Sequence, residues 1–357
     1  MNSRERLIAA ITRNKADRLP VTTHHVMPYF LSKYLNGITN LEFFESFGLD
    51  PINWVMASKF SEDKGEYFDP AHKELGFLEI RRICSDSWTI RIEELSHTKY
   101  PTQRFNIQTP DKILSMVLQT NEYTTWLKEH LVKEKSDIDI IAKYMTYPLC
   151  DIDEINRAAL QFQNKGIVRG HICTFDGFGQ PGCWQDAACL YGIENLIIAT
   201  YEDPEWVHAF LNILQDRKKV YIRSLAGARY DIIELAHKAG QRIVYHTCGG
   251  MMPILDDIAA MKPDAMETFT PSDMGGDTLL KVAKKRIGHK VCMIGGFDQF
   301  HFFNDCTEKE TREEVRRCFE EAGEGGGFIL SPSDHFFDAD LNLIRAFSDE
   351  AGKCLYG

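Results

Sequence analysis

Eight apolar, mostly β-branched runs recur along this chain, separated by amphipathic helical stretches, and that alternation confines it to an α/β architecture with parallel strands. The runs are Leu19–Thr23, Ile52–Met56, Ile167–Ile172, Tyr230–Glu234, Arg242–Thr247, Ala265–Phe269, Val291–Gly295 and Gly327–Ser331. No Pro/Ser-rich linker, low-complexity tract or shift in composition divides the 357 residues. The expectation is therefore one domain over residues 1–357, folded as a (β/α)8 TIM barrel. Between about residues 77 and 105 the polar/apolar alternation of Thr89-Ile90-Arg91-Ile92-Glu93 predicts an inserted hairpin.

Helix signals are sharper than strand signals. Ser3–Asn14 is polar and periodic, with Ser3 as the expected cap. Asp203-Pro204-Glu205 opens a long helix, with Asp203 as cap and proline at the first helical position. Thr307–Ala322 opens with a capping box, Thr307 to Glu310. One stretch resists the pattern. Only seven residues join Tyr230–Glu234 to Arg242–Thr247, whereas a parallel crossover takes about a dozen or more. The apolar spacing of Ile232, Ile233, Leu235, Ala236 and Ala239, closed by Gly240, predicts that 232–239 ends a helix outside the barrel. One β/α unit near 230–240 is thus abbreviated, or part of it is missing from the sequence.

Composition excludes several classes of function. A formal net charge of -11 with no basic run argues against a nucleic-acid partner. The N-terminus has no signal-peptide apolar stretch and no window reaches membrane-spanning length, so a cytoplasmic protein is expected. In that compartment the 10 cysteines are read as thiols, most of them small buried hydrophobes.

The chemistry concentrates at strand ends. In Arg242–Gly250 a β-branched run ends in His246-Thr247-Cys248, and residues i and i+2 of a strand point to the same side. An imidazole nitrogen and a thiolate converging at the mouth of a barrel form a natural zinc pair; the plainer reading is a core histidine beside a buried cysteine. Asp334 and His335 end the last run, Asp298 follows Gly295-Gly296-Phe297, Glu267 ends the Ala265 run, and Thr22-Thr23-His24-His25 follows the first. Each alone could be a cap or a satisfied core group. Together they put polar groups after five strands at one end, as a barrel enzyme requires. His171-Ile172-Cys173 repeats the His-x-Cys spacing, but the later Cys183 and Cys189 match no compact zinc module. The loop Gly177–Gly182 lacks the Lys and Ser/Thr of a phosphate loop and is read as a substrate loop.

These residues, in this order, resemble the uroporphyrinogen decarboxylase superfamily, and especially its corrinoid-dependent methyltransferase branch. The resemblance rests on Asn14–Pro20, Thr109-Pro110, Trp126, Glu129-His130, Lys133, Asp137-Ile138, Asp203-Pro204-Glu205, Tyr245–Gly249, Gly295–Asp298 and Gly327–Pro332. It implies a (β/α)8 barrel. The decarboxylases of the family carry an N-terminal arginine motif for substrate carboxylates, but Thr22–Pro28 here has no arginine. The methyltransferases bind zinc through His-x-Cys and a later cysteine. His246 and Cys248 match the first two, while Asp334 stands where the third sulfur is expected.

The resemblance therefore implies a zinc-dependent methyltransferase that moves a methyl group between a small methylated substrate or carrier and a corrinoid protein. The metal ligands would be His246, Cys248 and Asp334. Glu267, Asp298 and His25 would orient substrate or carry a proton. The corrinoid would arrive on a partner protein, since no cobalamin-binding module is present. The alternatives are a metal-free lyase of the decarboxylase type and a degenerate, non-catalytic barrel. Relatives usually carry a longer, Gly-rich segment where this chain joins Tyr230 to Ile232.

Overall fold

The computed structural model describes residues 1–55, 57–59, 66–68, 81–83, 85–145, 149–172, 182–234 and 241–357. The chain divides into two compact units. The first comprises residues 1–55, 155–170 and 229–357, and the second residues 56–154 and 171–228.

The first unit is built on a curled sheet of seven parallel strands: β1 (Ile52–Trp54), β2 (Ile167–His171), β3 (Ile232–Glu234), β4 (Ile243–His246), β5 (Ala265–Thr268), β6 (Cys292–Phe297) and β7 (Phe328–Pro332). They lie side by side in sequence order. β5, β6 and β7 are buried along their whole length, which is why they read as unbroken apolar runs instead of alternating ones. Helices Leu280–Ile287, Glu308–Ala322 and Leu341–Lys353 follow β5, β6 and β7 and bury Ala283, Val315 and Phe347. The Thr307–Glu310 capping box forms as expected. At the first helix, Ser3–Ile11, the cap is Asn2 rather than Ser3, because Asn2 pairs reciprocally with Glu5.

Two expectations need correction. The (β/α)8 barrel called for an eighth strand at Leu19–Thr23, but that segment makes a single parallel bridge, Val21 to Leu330. Pro20 has no N–H with which to extend the ladder toward β7, and on the opposite edge the Val21 N–H goes to the Asp50 carboxylate at 3.1 Å. The segment still lies along β7, with Thr22 N–H donating to the Leu330 carbonyl at 2.9 Å and the Leu330 N–H to the Pro20 carbonyl at 2.9 Å. The second correction concerns 232–239. Residues 232–234 are strand, not helix, and pair in parallel with β4 through Ile233–Ile243 and Glu234–Val244. Burial of Ile232, Ile233 and Glu234 together outweighs the helical spacing. Residues 235–240 lie outside the described residues.

The second unit has its own core, including Trp88, Phe105, Met116, Phe210 and Leu214. A four-stranded antiparallel sheet (Thr89–Glu94, Thr102–Gln108, Ile113–Thr120, Thr125–Glu129) packs with helices including Cys183–Tyr191, Ile193–Glu202 and Pro204–Ser224. The hairpin expected near 77–105 corresponds to Thr89–Glu94 paired with Thr102–Gln108; residues 77–80 and 84 of that range lie outside the described residues. Asp203 caps the long helix by accepting the Trp206 N–H at 3.2 Å, as expected. Residues 173–181, with the expected substrate loop and Cys173, also lie outside the described residues. The described cysteines are free thiols.

Asp50 is fully buried and holds the N-terminal segment to the sheet. Its Oδ1 accepts from Arg6 at 2.6 Å and Arg18 at 3.3 Å, while Oδ2 holds the Val21 N–H. Removing one partner of a buried ion pair strands the other, at a cost of about 3–5 kcal/mol. Asp50→Ala is expected to lower stability by about that amount, read as a fall in the urea midpoint with near-unchanged slope. A loss below about 1 kcal/mol would show that the Asp50 pairing is not what holds the N-terminal segment to the sheet.

Candidate functional site

A small cavity of about 60 Å³ opens at the C-terminal ends of β4, β5 and β7 in the first unit. Its lining includes His24, His246, Cys248, Glu267, Asp334 and His335. The register of β4 on β5 sets His246 directly opposite Glu267. Nδ1 of His246 lies 2.9 Å from Glu267 Oε1, so the carboxylate takes the Nδ1–H and leaves Nε2 facing Cys248 Sγ at 3.3 Å. Gly249, at φ 79°, turns the chain immediately after the cysteine.

Beneath this pair lies a buried cation. Arg169 of β2 is 1% exposed and donates to both oxygens of Glu267, at 2.9 Å to Oε2 through one nitrogen and to Oε1 through the other. The second nitrogen also reaches Glu234 Oε2 at 3.2 Å, and the guanidinium stacks 4.3 Å over the Trp54 ring. Burial alone would raise the Glu267 carboxyl, but Arg169 and His24 hold it well below the ordinary carboxylate range. For His246, burial opposes the proton, while the hydrogen bonds with Cys248 and Glu267 outweigh it and raise the imidazole well above its usual value.

Histidines gather around the cavity. The His24 ring lies 5.3 Å from that of His246 and 5.8 Å from that of His335, and the His25 ring lies 3.8 Å from that of His335. Burial first, then the neighbouring imidazoles, lowers His25 well below its usual value. Burial and then His24 push His335 down to about 4.

The donor set suits a metal ion. His24, His246 and Glu267 each offer a ligand atom, all within 4.8 Å of one another. A tetrahedral zinc, with bonds of about 2.3 Å to sulfur and about 2.0–2.1 Å to nitrogen, would separate such a donor pair by about 3.5 Å. The 3.3 Å between Cys248 Sγ and His246 Nε2 is close to that. Glu267 behind the imidazole supplies the second hydrogen bond that metal-bound histidines characteristically make. The Nδ1 atoms of His24 and His335 are buried without a hydrogen-bond partner, as expected of groups awaiting a ligand.

Of the residues singled out from sequence, His246, Cys248, Glu267 and Asp334 line this one cavity. Asp334 is exposed, and its Oδ1 accepts the His335 N–H at 2.7 Å. Asp298 is turned to another use: its Oδ1 accepts the N–H groups of Phe300 and His301 at 3.0 and 3.1 Å, capping a short helix. Gln299 in that helix accepts the Ser333 N–H at 3.0 Å and so fixes the 333–335 turn. His25 lies behind His335 and is not among the residues lining the cavity.

Three residues of the site went unread in the sequence. His24 was visible in the Thr22–His25 cluster, Glu234 ended a candidate strand, and Arg169 stood as a lone charge inside an apolar run. A buried strand carries such a charge only when partners await it.

Residues 229–353 match the uroporphyrinogen decarboxylase (URO-D) family. The similarity to that family is one of this stretch. It contains β3–β7 and, among the described cavity residues, all except His24. Of the 23 solved chains found similar, one is a methyltransferase from Methanosarcina mazei, with a TM-score of 0.55 and 14% sequence identity. The match covers 99% of each chain, and at this identity the likeness is one of fold. No curated protein matches the sequence significantly. No described helix is long and apolar enough to cross a membrane.

The histidine cluster makes stability depend on pH. Lowered histidines bind fewer protons folded than unfolded, so stability is full above the unfolded value of about 6.5 and falls on acidification toward the folded values. Glu267 adds a contribution that is present above about 4.3 and lost below it, as pH falls through its folded value. Urea midpoints of metal-free protein are expected to fall steadily between about pH 6.5 and about pH 4. His335→Asn should flatten that slope by at most about 1.4 kcal/mol per pH unit. An unchanged slope would mean that His335 is solvated and ordinary in the folded state.

Proposed function

We propose that this chain is a metal-dependent methyltransferase of the uroporphyrinogen decarboxylase superfamily. The observation that carries the reading is the convergence of His246 Nε2 and Cys248 Sγ at 3.3 Å, backed by Glu267. His246 and Cys248 would hold a zinc ion, the third position falling to a residue of the cavity wall, for which the sequence offers Asp334. A zinc ion held there would supply Lewis acidity toward the heteroatom that carries the methyl group.

The chain's own residues then have definite tasks. Glu267 fixes the His246 tautomer so that Nε2 keeps its lone pair toward the cavity. Arg169 keeps Glu267 ionised and therefore in that role. Cys248 supplies a thiolate when deprotonated, and its exposure leaves room for a substrate heteroatom beside it. The methyl group would pass between a small methylated substrate and a corrinoid carried by a separate protein, as the resemblance implies.

The cavity lining favours methyl transfer over decarboxylation of a polycarboxylate. Among the described residues it includes no Lys or Arg. Arg169, which lies nearby, is already neutralised by Glu267 and Glu234. A substrate with several carboxylates would meet Glu267 and Asp334 with no free cation among the lining residues to receive it.

Purified protein reconstituted with zinc is expected to hold close to one ion per chain by elemental analysis. His246→Ala and Cys248→Ala should each lose it while keeping the wild-type far-UV circular dichroism. Wild-type protein that cannot be loaded would sink the methyltransferase reading.

A further inference from the structure

We infer that the third protein ligand of this centre is His24, so that the ion is held by two imidazoles and one thiolate. The inference rests on the metal reading proposed above. It adds a residue from outside the matched family segment, which begins at 229.

The positions of four side chains carry it. His24 shares with His246 and Glu267 the compact arrangement whose donor atoms lie within 4.8 Å of one another. Glu267 is poorly placed to bond an ion itself, because both its oxygens already accept from Arg169 and one also takes the His246 Nδ1–H. That leaves the two imidazoles as the unspent donors of the group. Nδ1 of His24 is buried and makes no hydrogen bond; it lies 3.5 Å from Glu267 Oε1, beyond ordinary hydrogen-bond length. A buried polar atom left so is unfavourable, and ligation would relieve it. Asp334, by contrast, is exposed and its Oδ1 is occupied by the His335 N–H.

The placement of His24 is also fixed from behind. Its carbonyl accepts the Trp54 Nε1–H at 2.8 Å, and Trp54 stacks on Arg169. The ring stands edge-on to Trp54 at 5.0 Å. The two residues that hold His24 and His246 in place, Trp54 and Glu267, thus both contact the same arginine. Ligands supported in this way lose little side-chain entropy on binding.

X-ray absorption on the zinc-loaded wild-type protein counts the donors directly. Two imidazoles and one sulfur are expected; one imidazole with one sulfur would overturn the assignment. Competition with a chromophoric chelator should show His24→Ala weakening zinc by about 100-fold or more, since even an outer partner of a ligand is worth about 10–100-fold. Asp334→Ala should weaken zinc far less than His24→Ala. Cobalt loaded in place of zinc should show a shifted visible band in His24→Ala and an unshifted one in Asp334→Ala. If His24→Ala does not fold, His24→Asn, which keeps a polar side chain, replaces it. Wild-type affinity in His24→Ala, or the loss falling on Asp334→Ala, would overturn the inference while leaving the metal reading intact. A wild-type protein that takes up neither zinc nor cobalt would overturn both.

Discussion

The candidate site depends on one buried guanidinium. Arg169 sits on β2 with 1% exposure and touches Glu234 at the end of β3, Glu267 on β5 and the Trp54 ring of β1. An isolated charge at such depth would be prohibitive, and two carboxylates compensate it. The arrangement is stiff because a planar fork fixes both distance and direction. Glu267 is thereby oriented, and through it the imidazole of His246 on β4. Two carboxylates around one guanidinium leave a net negative charge under the cavity, which the His246 Nδ1–H only partly meets. A cation above that charge would be welcome, and a second anion would not.

The departure from eight strands bears on the same site. Had Leu19–Thr23 been a full strand, its pleat would have run on through His24. Pro20 offers no N–H to β7, the Val21 N–H on the other edge goes to Asp50, and the chain leaves β7 after a single bridge. It then turns so that His24 and His25 meet the segment that follows β7, where His335 stands. The path of the chain after that bridge thus sets where two histidines go. β3 ends at Glu234, one of the two partners of Arg169, and β4 begins at Ile243.

Much of this was legible in the sequence. Six of the eight apolar runs are strands as read, since residues buried on both faces of a parallel sheet must be continuously apolar. The capping box at Thr307 and the Asp203 cap were legible because they are local and reciprocal. His246 and Cys248 could be placed on one side because strand periodicity is fixed, and their shared cavity follows. The eighth run failed on a long-range fact: nothing near Val21 announces that Asp50 will claim its N–H. Residues 232–234 failed for the opposite reason, because a short apolar stretch fits helix and strand alike and burial decides. Asp298 was read as a site carboxylate, while its position just before Gln299–Phe302 makes it a cap. Carboxylates at strand ends serve both purposes, and only the following N–H groups distinguish them.

Exchanging a sulfur donor for a nitrogen one has a direction. Thiolates give electron density to an ion more generously than imidazoles, so a centre with one sulfur and two nitrogens is the stronger Lewis acid. Such a centre polarises a bound oxygen or nitrogen more and activates a bound thiolate less. The surroundings agree with that polarity. Glu267, ionised and locked to Arg169, returns some density to His246 through the Nδ1–H, while His335, pushed down to about 4, stays neutral at physiological pH and can accept a proton without adding positive charge beforehand. A heteroatom losing or gaining a methyl group must shed or acquire charge within a closed space. Here the cation beneath is already neutralised, and His335 above stays neutral.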